Sequence, residues 1–388
     1  MNVAQIMSKT LVLAVFLALA AIGSDRAEAG KYTKIDRDGY MQLDGVARGA
    51  PFRIVVPADW NGELVVLLHG LVPERAPLQL PPVGHEIFDP LSEGMMTRGF
   101  AVAYSAYRIN GLAIEDGIHD SALLYSIFSS EFGRPSEVYL TGYSMGTHIG
   151  QRLVESGPRR YAGFLAVCGA LGGASIQNAY FGDARVLFDY FYPGVLPGDI
   201  LTTDLDYFSE VFPLVFGAVS TNPLPAIELA AVLGLAWNDP FELVVGVASS
   251  LVGAGGGTLN EQAVRGGNPY DNSATVYTGS ADDDMLNAGV GRFVGDPQAL
   301  QNMRRLYDPR GRLRGTPVLQ LHTTRDAVVP VQWHAPVYQA LLAENGEEDR
   351  YVVRTADRFG HCTFAPEEVL ASFDDLVLWA RDGIKPTP

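Results

Sequence analysis

The pentapeptide Gly142-Tyr143-Ser144-Met145-Gly146 has the Gly-x-Ser-x-Gly spacing of a nucleophile elbow. In such a turn, small flanking residues let the backbone fold tightly, so that a serine hydroxyl projects beyond the end of a strand. A serine hydroxyl is a poor nucleophile near neutral pH. It needs a base within hydrogen-bond reach and an acid to orient that base. Asp326, in Arg325-Asp326-Ala327-Val328-Val329-Pro330, and His361, in Phe359-Gly360-His361-Cys362, supply those residue types. The chemistry is acyl transfer: Ser144 attacks the acyl carbon, His361 moves the proton and Asp326 orients His361. The tetrahedral intermediate also needs donors to its oxyanion. Backbone amides serve without leaving a side-chain signature, and those of Met145, just after the nucleophile, and Leu71, just after His69-Gly70, are assigned here. The competing structural readings are a glycine-rich turn with an incidental serine, a capping role for Asp326 and an ordinary loop position for His361. Of the other histidines, His69 is expected to shape the oxyanion loop and His148 to pack. His85, His119, His322 and His334 have no metal-ligand spacing, so neither a metal nor a cofactor is expected.

These residues must be placed by strands and helices in alternation. Phe52 to Val56, Leu64 to Leu68, Phe100 to Tyr104, Val138 to Thr141, Phe164 to Cys168, Pro317 to Leu321 and Arg350 to Arg354 read as strands. The Leu64-Val65-Val66-Leu67-Leu68 run is apolar on both faces, as a central parallel strand requires. Helical periodicity covers Glu115 to Phe132, the stretch after Ser144 to about Val154, and Pro366 to Trp379. The alternation implies an α/β architecture, a doubly wound, mostly parallel sheet. It stops between residues 179 and 315, which reads as an inserted helical lid. Residues 30–178 and 316–388 form the expected core.

Leu67-Leu68-His69-Gly70, the Ser144 pentapeptide, Asp326 before Val329-Pro330, and Gly360-His361 together resemble the α/β-hydrolase superfamily. The resemblance implies a Ser-Asp-His hydrolase with a lid inserted after the sixth strand. Tannases and some feruloyl esterases join a cysteine beside the serine to one beside the histidine. Here Cys362 follows His361, but Tyr143 precedes Ser144. Cys168 ends the strand next to the nucleophile's, so a Cys168–Cys362 disulfide anchoring the His361 loop and a pair of buried free thiols are both open.

The 388 residues carry 28 Lys and Arg against 44 Asp and Glu, a net charge of -16. A nucleic-acid or anionic-membrane partner is therefore not expected. Lys9, an apolar run from Leu11 to Ile22 and Ala27-Glu28-Ala29 resemble a cleavable export signal over residues 1–29, which places the protein outside the cell or in the periplasm without a stable membrane anchor. The charge is uneven. Residues 179–290 contain fourteen acids and only Arg185 and Arg265 as bases, whereas residues 291–315 contain six arginines and two acids. Phe212, Leu214, Phe216, Leu229, Leu233, Leu235 and Trp237 are expected on the inner face of the lid, or in its own core, with the acids outside. The function expected is a secreted serine hydrolase of small or polymeric carboxylic esters. A serine amidase or aminopeptidase, and a non-catalytic carrier of apolar ligands, are the alternatives.

Overall fold

The computed structural model describes residues 31–156, 161–254 and 265–388. The expected export signal lies outside them. A nine-stranded sheet runs in the order β1-β2-β3-β5-β4-β6-β7-β8-β9. Its strands are β1 (Lys31–Arg37), β2 (Tyr40–Ala47), β3 (Ala50–Pro57), β4 (Leu64–Leu68), β5 (Ala101–Ser105), β6 (Val138–Tyr143), β7 (Gly163–Val167), β8 (Val318–Arg325) and β9 (Tyr351–Phe359). The first three pair antiparallel, and β3 meets β5 antiparallel; from β5 to β9 every pairing is parallel. This is the α/β, mostly parallel architecture expected. The sequence reading did not include β1 and β2.

Strand periodicity divides the core. In β4, Leu64, Val66 and Leu68 enter one apolar cluster while Val65 and Leu67 enter the other, and none of the five is exposed. The first cluster is covered by α2 (Ile114–Phe132) and α3 (Met145–Ser156), through residues such as Leu124, Phe128 and Ile149. The second is covered by α1 (Phe88–Met96) and α11 (Pro366–Asp382), through Leu91, Met95, Phe373 and Leu376. A central parallel sheet buried on both faces needs apolar residues at successive positions, and β4 supplies them.

Between β7 and β8 the chain forms α4 (Ala174–Phe191), a short π-helical turn (Tyr207–Val211), α5 (Phe212–Thr221), α6 (Leu224–Leu233), α7 (Pro240–Ser250), α8 (Asp283–Gly289) and α9 (Pro297–Tyr307). Residues from Tyr180 to Val290 share a separate apolar cluster, whereas Met303, Tyr307 and Leu313 pack with the sheet. Arg185, fully buried, ties this insertion together by donating to Asp189, Thr203 and the carbonyls of Pro197, Gly198 and Ala254. No single helix among the described residues is long and apolar enough to cross a membrane. α10 (Val331–Glu344), a short 3-10 helix (Glu348–Arg350) and β9 precede α11.

Candidate active site

β6 ends at Tyr143 and α3 begins at Met145, so Ser144 alone makes the turn, with φ of 50°. A non-glycine residue in this left-handed region is strained. The flanking glycines permit the turn because a Cβ at Gly146 would lie 2.2 Å from the Leu68 carbonyl oxygen, and one at Gly142 would lie 2.7 Å from the Gly146 oxygen. The Ser144 amide donates to the Val167 carbonyl at 3.0 Å, which fixes the elbow to β7.

Asp326 follows the last residue of β8, and His361 lies two residues beyond β9. Two bonds hold these strand ends in register: the Gly360 amide donates to the Arg325 carbonyl at 3.0 Å, and Thr323 Oγ1 donates to the Gly360 carbonyl at 2.7 Å. His361 Nδ1 lies 2.7 Å from Asp326 Oδ2, and His361 Nε2 lies 2.9 Å from Ser144 Oγ. The hydrogen-bonded line from Asp326 through His361 to Ser144 assembles residues up to 217 positions apart in sequence. With Nδ1–H donating to the carboxylate, Nε2 is left to accept the serine hydrogen.

Asp326 has no exposed side-chain surface. Burial alone would raise its pKa, but the charge of His361 and the hydrogen bond from His322 more than offset this and hold the carboxyl well below the ordinary range. Its Oδ1 accepts from the amides of Val328 and Val329, both at 2.9 Å. Insertion helix α4 braces the same loop, since Gln177 Nε2 donates to the Val328 carbonyl at 2.9 Å and the Tyr180 hydroxyl to the Ala327 carbonyl at 2.6 Å.

Cys168 and Cys362 are joined as a disulfide with Cα atoms 5.2 Å apart. This resolves the alternatives left open by the sequence and ties the residue after His361 to the end of β7. His361 and both sulfurs lie within 4.8 Å of one another, but the sulfurs are bonded to each other and so do not form a thiolate metal set.

Leu71 and Met145 both border the cavity that contains Ser144 and His361. Met145 opens α3, and its amide is among the first of the helix, which lack partners inside it. Gly70 is pressed against the elbow: a Cβ there would lie 2.9 Å from the Ser144 Cβ. Its amide donates to His85 Nε2 at 3.1 Å. Sequence reasoning gave His85 no role because nothing in its spacing shows that the loop after β4 folds back onto Gly70. His69 is buried and stacked on Tyr107 with ring centroids 3.7 Å apart. His148, also buried, lines the cavity wall.

The cavity measures about 1170 Å³. Its apolar wall includes Leu71, Leu112, Phe181, Tyr207, Phe212 and Val252, and exposed Glu74, Glu86 and Asp204 border it with Arg75. Of the seven apolar residues expected on the insertion's inner face, only Phe212 reaches the cavity. Leu229 and Leu233 are buried in the insertion's own cluster, Phe216 and Leu235 pack against it, and Leu214 and Trp237 are exposed. The insertion faces the cavity mainly through α4, the π-helical turn and the end of α7. An amphipathic sequence shows that a helix buries one face, but not whether that face meets a neighbouring helix or a cavity.

The parallel sheet with helices on both faces, the strained serine between β6 and α3, and the placing of Ser144, Asp326 and His361 beyond the carboxyl ends of β6, β8 and β9 define an α/β-hydrolase fold. Solved structures share it. An esterase from Aspergillus oryzae is 13% identical with a TM-score of 0.52, covering 89% of this chain and 81% of its own. Candida antarctica lipase A is 14% identical with a TM-score of 0.51, covering 92% of this chain and 82% of its own. Feruloyl esterase B from Aspergillus oryzae is 15% identical with a TM-score of 0.50, covering 89% and 81%. No protein-family model and no curated protein sequence matches the chain.

Proposed function

We propose that this protein is a secreted serine hydrolase of carboxylic esters. The carrying observation is the hydrogen-bonded line from Asp326 through His361 to Ser144, opening onto a large apolar cavity. Ser144 Oγ attacks the acyl carbon as His361 Nε2 takes its proton. The amides of Leu71 and Met145 receive the oxyanion. His361 then returns the proton to the departing alcohol, and a water activated by the same nitrogen releases the acid from the acyl-enzyme. The insertion serves as a lid, and its contribution to the cavity wall selects for apolar acyl or alcohol groups. The esterase and lipase names of the structural neighbours favour esters over amides.

The test is labelling with a fluorophosphonate, followed by turnover of nitrophenyl esters set against aminoacyl anilides. Wild type labels and Ser144→Ala does not, and the esters are the better substrates. Absence of label on wild type overturns the serine-hydrolase reading, and faster anilide cleavage replaces the ester with the amide.

A further inference from the structure

His322 is fully buried beside the acid of the proposed triad. Its Nε2 lies 3.3 Å from Asp326 Oδ2, the oxygen that His361 Nδ1 meets at 2.7 Å. The Val329 carbonyl lies 2.8 Å from the same Nε2. Across the ring, His322 Nδ1 is 2.8 Å from Gln320 Nε2.

These neighbours fix which ring nitrogen carries hydrogen. The Gly169 carbonyl can only accept, and it lies 3.2 Å from Gln320 Nε2, so the amide nitrogen belongs on that side. Gln320 Oε1 accepts from the Tyr351 hydroxyl at the other end. An amide nitrogen donates and does not accept, so His322 Nδ1 must accept from it. The ring hydrogen then sits on Nε2, which donates to the Val329 carbonyl and has Asp326 Oδ2 beside it at 3.3 Å.

We infer that His322 is a positioning residue for Asp326, held in its donating tautomer by Gln320 and Tyr351. The inference rests on the hydrolase reading above. Asp326 Oδ1 receives the amides of Val328 and Val329, and Oδ2 faces His361 Nδ1 at 2.7 Å and His322 Nε2 at 3.3 Å. Water does not reach this side chain, so no solvent donor replaces one that is lost. The carboxylate then turns toward its remaining donors, and His361 moves with it out of line with Ser144. Bonds to an ionised acceptor are about twice as strong as neutral ones, which makes this contact consequential although it is the longest of the four.

The experiment compares wild type with His322→Phe and His322→Gln on a nitrophenyl ester, with thermal melts to verify folding. His322→Phe keeps a planar ring but no donor, and lowers kcat by roughly 10- to 100-fold with KM within about twofold. His322→Gln, whose amide can donate toward the same oxygen, recovers most of that loss. The far-downfield proton resonance of His361 Nδ1–H moves in His322→Phe and returns toward its wild-type position in His322→Gln. In an Asp326→Asn background, His322→Phe costs little more, because it acts through a carboxylate already removed. A folded His322→Phe with wild-type kcat overturns the inference, as does a full loss repeated in the Asp326→Asn background. Should His322→Phe fail to fold, Gln320→Leu decides: it releases the tautomer and is expected to reduce kcat at constant KM, and an unchanged kcat overturns the inference. Fluorophosphonate labelling separates the two proposals. Unlabelled wild type refutes the hydrolase reading, whereas labelled wild type with an unimpaired His322→Phe refutes this one alone.

Discussion

Three of the buried histidines outside the Ser144-His361-Asp326 line should make the fold sensitive to mild acid. His69, His148 and His334 are 1%, 4% and 0% exposed. Burial first, and then His85 beside His69, Arg265 beside His148, and His148 and His322 beside His334, push their pKa values down to about 3, 4 and 3. Each also has a ring nitrogen without a hydrogen-bond partner among the described residues: Nε2 of His69 and Nδ1 of His148 and His334. A proton placed there would bring a charge into a buried site. In the unfolded chain the same rings titrate near pH 6.5. Between the folded and unfolded values the unfolded state binds more protons, so stability falls as pH falls below about 6.5. At pH 5 the loss is about 2 kcal/mol per ring, or about 6 kcal/mol for the three, against a usual total of 5–15 kcal/mol. Asp183 and Glu155, whose pKa values burial raises, act in the opposite sense at lower pH. The decisive comparison is therefore between wild type and His334→Gln, which can still donate to Gln177 Oε1 but takes up no proton. Denaturant titrations at pH 7, 6 and 5 should show the variant losing about 1 kcal/mol less per pH unit below pH 6.5. Parallel curves for the two proteins would refute the reasoning.

The Cys168–Cys362 bridge spans 194 residues, and in the chain-entropy model a loop of this size contributes about 5 kcal/mol. Cys168→Ser with Cys362→Ser should lower the unfolding free energy by that order and slow ester turnover by loosening the His361 loop; unchanged stability and rate would remove both roles. Leu71→Pro deletes a proposed oxyanion donor and should cost ~3 kcal/mol of transition-state stabilisation, about two orders of magnitude in kcat, whereas a near-normal rate would take Leu71 out of the site. Glu74, Glu86, Asp204 and Asp206 outnumber Arg75 and buried Arg265 in the cavity lining, which should make a neutral ester a better substrate than its matched anionic analogue at low salt. That preference shrinks as salt is added, and equal rates at low salt would refute it.

The elbow and the strands around it were legible because their signals are local. A serine between glycines, preceded by an apolar run and followed by a helical one, specifies its own turn whatever lies beyond it. Asp326 and His361 could be nominated because each follows a run with strand periodicity, and functional groups in doubly wound sheets gather at the carboxyl ends of strands. β1 and β2 were missed because the edge strand Lys31–Arg37 and its neighbour Tyr40–Ala47 carry polar residues that interrupt the alternation marking a half-buried strand.

What the sequence determined by itself was therefore the residue types, the local turns and the order of elements, all set by neighbours a few positions away. The tertiary structure alone decided which partners meet. It brought His361 to 2.7 Å from Asp326 and 2.9 Å from Ser144, turned His85 onto Gly70, set His322 behind the acid and joined Cys168 to Cys362. It also placed Leu229 and Leu233 in the insertion's own core while giving Phe181 and Val252 to the cavity. Burial of apolar surface has no direction, so periodicity shows that a face is hidden and leaves the choice of what covers it to the packing of the whole chain.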